Sequence, residues 1–265
     1  ISVQHHYAHA LSCMAEHRIE GSVLAIAWDG TGYGLDGTLW GGEFLHMTET
    51  SFQRVAHLRT FCLPGGDLAI KEPRRAALGL LYEHLGENLF ELRSLAPLQA
   101  FSAQELNLLK VALRRHLNAP MTSSAGRLFD AIASILSLRQ HHQFEGQAAM
   151  ELEFVLAGIE TNEHYPFDVI EPNRDRDLSP IVIDWAATLQ GVLSDRQAQQ
   201  SVPVISAKFH NTLIEMIATV AKRVDEKQVI LTGGCFQNQY LLEKAIQRLT
   251  TEHFCPYWHQ QIPSN

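Results

Sequence analysis

The chain has no apolar stretch long enough to cross a bilayer. Its longest runs, such as Val23–Trp28 and Val229–Leu231, are a few residues long, whereas a spanning helix needs about 20. It also has no basic block and few charges. Charged residues are 19% of the 265, and 21 Lys and Arg face 29 Asp and Glu, a formal charge of −8 with His neutral. That sign argues against binding nucleic acid through its phosphates. Cysteines are scarce too: Cys13, Cys62, Cys235 and Cys255 form no C-x-x-C pair, which argues against a zinc ribbon or redox motif and for reduced, buried thiols. No internal repeat, low-complexity tract or charged-then-apolar leader is present in the chain as read. The expectation is a cytoplasmic protein with no membrane and no nucleic-acid partner. Both ends look cut, at Ile1-Ser2-Val3 and at Ile262-Pro263-Ser264-Asn265, so a fragment is expected.

What is present is the composition of a globular protein, 46% hydrophobic and long enough to bury a substantial core. Val3–His17 reads as a helix, with His9, Ala10, Cys13, Met14 and His17 at helical spacing and Gly21 where a stop belongs. Val23–Trp28 reads as a strand buried on both faces, and Leu39–Met47 and Arg54–Leu63 as further strands joined by glycine-rich turns. Helices are predicted over Lys71–Leu85, Ser102–Asn118, Thr122–Leu138 and Gly146–Leu156, the second opening on a capping box, Ser102-Ala103-Gln104-Glu105. A polar connection, Glu160–Pro180, holds one short strand near Tyr165–Val169. Helices follow at Trp185–Leu193 and Ser206–Val224, then a buried strand, Gln228–Thr232, a Gly233-Gly234 corner and a helix through Leu249. This is an α/β order with a helical insertion between two sheet-containing halves, in which ligands sit at the carboxyl ends of strands.

Several motifs have chemical potential. In Gln4-His5-His6-Tyr7-Ala8-His9, His5 and His9 lie one helical turn apart, about 5–6 Å between Cβ atoms, and can share a metal. His6 occupies the place of the glutamate in the metalloprotease motif, so a protease is disfavoured; surface histidines are the competing reading, and His6 is assigned to it. Asp29 closes a buried strand ahead of glycines at 30, 32, 34 and 37. Such a turn offers amides to an anion, with Thr31 adding a hydroxyl, but it lacks the Lys-Ser/Thr of a P-loop, and a plain hairpin turn is the alternative. Leu231-Thr232-Gly233-Gly234-Cys235-Phe236-Gln237-Asn238 is a strand, a double glycine and a helix start, an arrangement that aims amides at an anion. There Asn238 can read a base or ribose, against the alternative of close packing. Gly126 and Asp130 lie one turn apart at a helix start. Leu63-Pro64-Gly65-Gly66-Asp67 leads to Lys71, Arg74 and Arg75, where the arginines serve an anionic group or pair with Glu72.

Taken in order, these stretches resemble successive blocks of one family. Val3–His9, Ala27–Gly34, Leu39-Trp40-Gly41-Gly42-Glu43, Leu63–Asp67, Thr122–Asp130, Phe144–Glu151 and Gly233–Asn238 are similar to the C-terminal, Kae1-like portion of the HypF family of [NiFe]-hydrogenase maturation carbamoyltransferases. The likeness covers nearly the whole chain. It implies an α/β fold of the actin/Hsp70-like (ASKHA) ATPase type, Kae1-like and truncated at both ends, with nucleotide and metal between two lobes. Residues 1–68 would be the remainder of the first lobe, 69–225 a helical middle and insertion, and 226–265 the nucleotide-binding strand–loop–helix of the second lobe.

The resemblance further implies an ATP-dependent carbamoyltransferase. Carbamoyl-adenylate, made from carbamoyl phosphate and ATP in a separate YrdC-like domain, would donate its carbamoyl group to the C-terminal cysteine of the partner HypE, towards the cyanide ligands of the hydrogenase iron. His5, His9 and Asp29 match the family's metal ligands, a set that suits iron or zinc, with Mg²⁺ at the phosphates. Gly30, Thr31, Gly32 and Gly34 would face the phosphates, Gly126 and Asp130 the ribose side, and Gly233, Gly234 and Asn238 the nucleotide; Asp67 and Lys71 are weaker transfers. A further aspartate ligand is expected just beyond Asn265, and without it and the missing domains this segment is expected to bind metal and nucleotide more weakly than the intact protein. The rivals are a tRNA threonylcarbamoyl or antibiotic O-carbamoyl transferase on the same fold, a non-catalytic nucleotide-binding module, and a sugar kinase, for which no sugar-binding signature is present.

Overall fold

The computed structural model describes residues 3–172 and 179–264. Residues 173–178 of the predicted polar connection, and Asn265 with the ligand expected after it, lie outside the described residues. The first helix, α1 (His5–His17), starts where Gln4 accepts the amide of Tyr7 on its side chain, 2.8 Å away, and stops where Arg18 turns left-handed. It crosses β1 (Val23–Tyr33), whose first six residues are fully buried. β1 pairs antiparallel with β2 (Leu39–Met47), and β2 with β3 (Phe52–Leu58). After a two-residue strand, β4 (Phe61–Cys62), come α2 (Leu68–Lys71), α3 (Pro73–Leu85), α4 (Ala96–Gln99) and α5 (Ala103–Arg115), the last with the capping box predicted from its sequence. β5 (Met121–Thr122) leads into α6 (Ala125–Ile135), buried along its whole length, and then α7 (Gln147–Phe154). β6 (Asp168–Ile170), β7 (Ile181–Asp184), α8 (Ala186–Gln197), α9 (Val202–Val224), β8 (Gln228–Thr232), α10 (Gln239–Thr251) and β9 (Cys255–Trp258) complete the chain.

Among the described residues the nine strands form one sheet in the order β6-β7-β3-β2-β1-β8-β9, with β5 attached to β2 and β4 to β5. β8 lies parallel to β1, in the register Leu24↔Val229 to Ala27↔Thr232, and β9 lies parallel to β8. β1 is buried on both faces because its side chains alternate between two cores. Leu24, Ile26 and Trp28 join the large core with the faces of α3, α6 and α9; Val23 and Ala25 join a smaller one with Ala10, Cys13 and Met14 of α1. Parallel pairing of β1 and β8 sets the carboxyl end of β8 beside the middle of β1, and so brings Gly233 and Gly234 next to Trp28 and Asp29.

The structure redraws several predicted boundaries. β1 continues through Asp29 to Tyr33, so the tight turn is confined to Gly34–Thr38, closed by Gly34 N–H donating to Thr38 O at 2.9 Å. The single strand expected over Arg54–Leu63 is split into β3 and β4, and the helix expected from Lys71 is broken at Glu72 before Pro73 opens α3. The middle segment is not only helical: β5, β6 and β7 join the common sheet, β7 pairing parallel with β3. β7 and β9 are strands that the sequence reading did not assign.

Candidate metal centre and adjoining cavity

His5 and His9 occupy the first two turns of α1, and α1 lies across the end of β1 that carries Asp29. Their rings meet edge to face, centroids 4.4 Å apart. His5 Nε2 is 3.0 Å from His9 Nε2 and 3.1 Å from Asp29 Oδ2, and His9 Nε2 is 3.5 Å from the same oxygen. One ligand atom from each of the three lies within 4.8 Å of the others. Donors about 2.0–2.2 Å from a common ion stand roughly 3 Å apart, so these three side chains fit a divalent metal without rearrangement.

Asp29 has a second task. Its Oδ1 accepts the amides of Gly30 at 2.7 Å and of Gly234 at 3.3 Å. Burial alone would raise its carboxyl, but hydrogen bonds from His9, Gly30 and His5 outweigh burial and hold it well below the usual carboxylate range. This carboxylate thus pins the loop after β8 to β1. Ser124, the cap of α6, adds a third element: its hydroxyl accepts the Arg127 amide and lies 2.7 Å from the Asp29 carbonyl and 2.8 Å from that of Gly30.

Beside this cluster is a cavity of about 430 Å³, reached by Asp29, Gly30, Gly126, Asp130, Gly234 and Asn238 and closed on its far side by α7. Six of the residues proposed from the sequence therefore share one space. Gly126 is there because α6 passes so near β1 that a Cβ would stand 3.1 Å from the Asp29 carbonyl oxygen. Gly233 forms the corner itself: its φ is +97°, and a Cβ would run into the Trp28 carbonyl. Asn238 reaches the cavity wall, but its side chain is committed, Oδ1 capping α10 at the Leu241 amide (2.8 Å) and Nδ2 donating to His210 Nε2 (2.9 Å).

Other predicted residues are placed elsewhere. A Cβ on Gly32 would collide with the rings of His6 and His5, and one on Gly34 with Trp40; these glycines make room for protein side chains. Thr31 donates to the Gly30 carbonyl at 2.5 Å. Asp67 and Lys71 are exposed at the two ends of α2 and do not line the cavity. Arg74 and Arg75 both pair with Glu72, at 2.9 and 2.7 Å, and Arg74 also lies over the Phe101 ring, so the pairing alternative describes them. His6 is not a surface histidine: it is fully buried against Trp40, and burial, only partly offset by Asp29, lowers it to about 4. Cys235 reaches the cavity, where burial pushes its thiol up.

Two residues in this region escaped the sequence reading. Arg127, between Gly126 and Asp130, is buried with its guanidinium in the cavity wall, 3.2 Å from the Ile70 carbonyl and 3.0 Å from Asp130 Oδ2. A cation three residues before Asp130, in a helix otherwise mostly apolar, was the available signal. His142 packs behind Asp130 at 3.3 Å; nothing local marks it, since its partners come from distant segments.

Residues 25–265 match a family model described as carbamoyltransferase, Kae1-like domain, second subdomain. The chain is 42% identical to Carbamoyltransferase HypF of Synechocystis sp., an alignment covering 99% of this chain and 35% of that protein. It is 30% identical to Probable carbamoyltransferase HypF of Methanocaldococcus jannaschii, over 99% of this chain and 33% of that one. A crystal structure of full-length HypF in the phosphate- and nucleotide-bound form superposes with a TM-score of 0.89 at 38% identity, covering 100% of this chain and 40% of the other. The crystal structure of T. kodakarensis HypF superposes with a TM-score of 0.81 at 28% identity, covering 99% and 34%. The chain spans about a third of the length of these two curated relatives.

Proposed function

The chain belongs to the HypF carbamoyltransferase family, as its Kae1-like domain, and from that premise we propose that it is the part of an ATP-dependent carbamoyltransferase where an activated carbamoyl group is held and passed to a protein thiol. The donor in this reading is carbamoyl-adenylate, made from carbamoyl phosphate and ATP. The acceptor is the C-terminal cysteine of HypE.

The supporting observation is the convergence of His5, His9 and Asp29 on one point at the edge of a cavity that Gly30, Arg127 and Gly234 also reach. The two imidazoles and the carboxylate would hold iron or zinc, with Mg²⁺ accompanying the nucleotide. Such an ion supplies a Lewis acid and a template for the mixed anhydride. The chain's own residues do the rest. Asp29 Oδ1 ties the loop after β8 to the Gly30 stretch of β1, so the backbone there is ordered before a ligand arrives. Arg127 brings a buried positive charge to the wall facing Gly30, where phosphate oxygens would be neutralised.

The transfer itself needs no strong base, because the attacking group is a thiolate. Its sulfur forms a bond to the carbamoyl carbon, the bond from that carbon to the adenylate oxygen breaks, and AMP leaves with the electron pair. Cys235 is not the acceptor in this reading, which puts the acceptor on the partner; burial pushes its own thiol up.

The test is carbamoylation of HypE by the full-length protein with ATP and carbamoyl phosphate, read as one added carbamoyl group on the C-terminal cysteine peptide by mass spectrometry. Transfer is expected to be abolished in the H5A/H9A double variant. Undiminished transfer by that variant would refute the reading.

A further inference from the structure

We propose that Cys62, Met121 and His116 form a binding site for a soft monovalent cation, Cu(I) being the ion that fits it. The three side chains come from β4, β5 and the end of α5, and none of them lines the cavity beside Asp29.

β4 and β5 pair antiparallel with Cys62 directly opposite Met121, so the two side chains leave the same face of the ladder. Their sulfurs are 3.3 Å apart. His116 caps α5 in the left-handed conformation, with φ at 50°, and its Nδ1 lies 3.7 Å from Cys62 Sγ. One thiol therefore faces two acceptors and has one proton to give. It can satisfy the thioether or the imidazole, but not both. A cation in place of that proton engages all three.

The donor set selects the ion. A thiolate and a thioether are soft ligands, and with one imidazole they favour Cu(I) over Mg²⁺ or Ca²⁺, which take oxygen. Bonds of about 2.3 Å to sulfur and about 2.0 Å to nitrogen set trigonal or tetrahedral ligand atoms about 3.5–4 Å apart. The Cys62–His116 separation already meets that, and the two sulfurs need to open by about half an ångström. Methionine suits such a shift, being unbranched with freely rotating bonds, and Met121 is only half-buried. Cys62 is 3% exposed whereas His116 is exposed, so the ion enters past the imidazole and ends shielded from water. Burial, and after it the Glu83 carboxylate, push the Cys62 thiol up. Only a strongly thiophilic ion displaces a proton held in that way. In the binding step the sulfur–hydrogen bond gives way to a sulfur–copper bond and the proton leaves to solvent. Neither copper nor sulfur changes oxidation state.

The test is an anaerobic titration of the reduced, metal-stripped full-length protein with Cu(I), using bicinchoninate as the competing chelator. The parent is expected to hold one more Cu(I) per chain than C62S. The same difference is expected in the H5A/H9A background, which separates this site from the cluster at Asp29. M121L keeps the volume and H116N keeps a residue that tolerates the left-handed cap. Each should weaken that Cu(I) by at least about tenfold, the loss seen when even an outer partner of a metal ligand is disturbed. In the unsubstituted protein, Cu(I) should slow labelling of Cys62 by N-ethylmaleimide, read on its peptide by mass spectrometry. Equal copper in the parent and C62S, or unchanged labelling of Cys62 in the copper-loaded protein, overturns the proposal. Parental affinity in both M121L and H116N overturns it too, because a lone thiol would then account for the binding.

Discussion

Gly126 of α6 lies so close to Gly30 of β1 that a Cβ on the first would stand 2.8 Å from the Cα of the second. Both neighbours are backbone, so nothing can rotate away. The contact sets how deeply α6 sits against the strand that carries Asp29, and hence how near Arg127 and Asp130 come to the amides of Gly30 and Gly234.

Gly126→Ala is accordingly expected to lift α6 off β1 although alanine is the better helix former. Overpacking of this kind costs about 1–3 kcal/mol, against a gain of up to about 1 kcal/mol from helix propensity. Urea denaturation should show a net loss of stability, and nucleotide affinity should fall with it. A variant as stable as the parent would mean that α6 and β1 can separate freely.

That same contact shows what was legible in the sequence. The glycines themselves were visible, close behind the apolar runs Val23–Trp28 and Gln228–Thr232. What faces each glycine was not visible. Gly32 and Gly34 belong to the same run as Gly30 but accommodate His6 and Trp40, partners supplied by α1 and β2. β9 went unassigned because Cys255–Trp258 is short, half exposed and paired only on β8. β7 was hidden for a similar reason, lying four residues long behind Pro180. The His5–His9 pair was read correctly as sharing one helix face, since that depends on local periodicity alone; its meeting with Asp29 depends on how α1 crosses β1.

The double duty of Asp29 predicts that two substitutions there will differ. Asp29→Asn keeps an oxygen for the Gly30 and Gly234 amides but removes the charge that a metal requires. Asp29→Ala removes both. Metal content of the purified full-length protein, measured by plasma mass spectrometry, should be low in both variants. Thermal stability should fall clearly only in Asp29→Ala, by the 1–3 kcal/mol expected when buried donors are left unpaired. Full metal occupancy in Asp29→Asn would remove the carboxylate from the ligand set.

Stability should also depend on pH through His210. This residue is fully buried beneath Asn238, with Nδ1 donating to the Ser206 carbonyl at 2.8 Å, and burial lowers it to about 4. The unfolded chain takes up the proton near 6.5, so between those values it binds more protons than the native state does. The stabilisation is complete above about pH 6.5 and is lost as pH falls towards 4. Between pH 7.5 and 5 the loss from this group is about 2 kcal/mol. Urea denaturation at the two pH values should show a smaller difference in His210→Gln than in the parent protein; an unchanged difference would assign the effect to other groups.

The last prediction concerns Glu16, which is on the same helix as His5 and His9. Its Oε1 accepts the amides of Gln260 and Gln261 at 2.9 and 2.7 Å, and Oε2 that of Ile262 at 3.4 Å. One carboxylate thus ties the segment after β9 to α1, and two residues later the Ser264 carbonyl meets the Gly233 amide at 3.1 Å. The tie should be electrostatic as well as geometric. Burial tends to raise the Glu16 carboxyl, but the three amides outweigh it and hold it below its ordinary range, so the tie is complete above that range and is lost as pH falls through the lowered value. Glu16→Ala is expected to speed amide exchange at residues 260–262 markedly while exchange in the body of α1 is unchanged, and Glu16→Gln should fall between, since it keeps an acceptor but not the charge. Hydrogen exchange read by mass spectrometry resolves the two segments. Equal protection of residues 260–262 in all three proteins would show that packing around Trp258 and His259, not this carboxylate, holds the segment against the helix of His5 and His9.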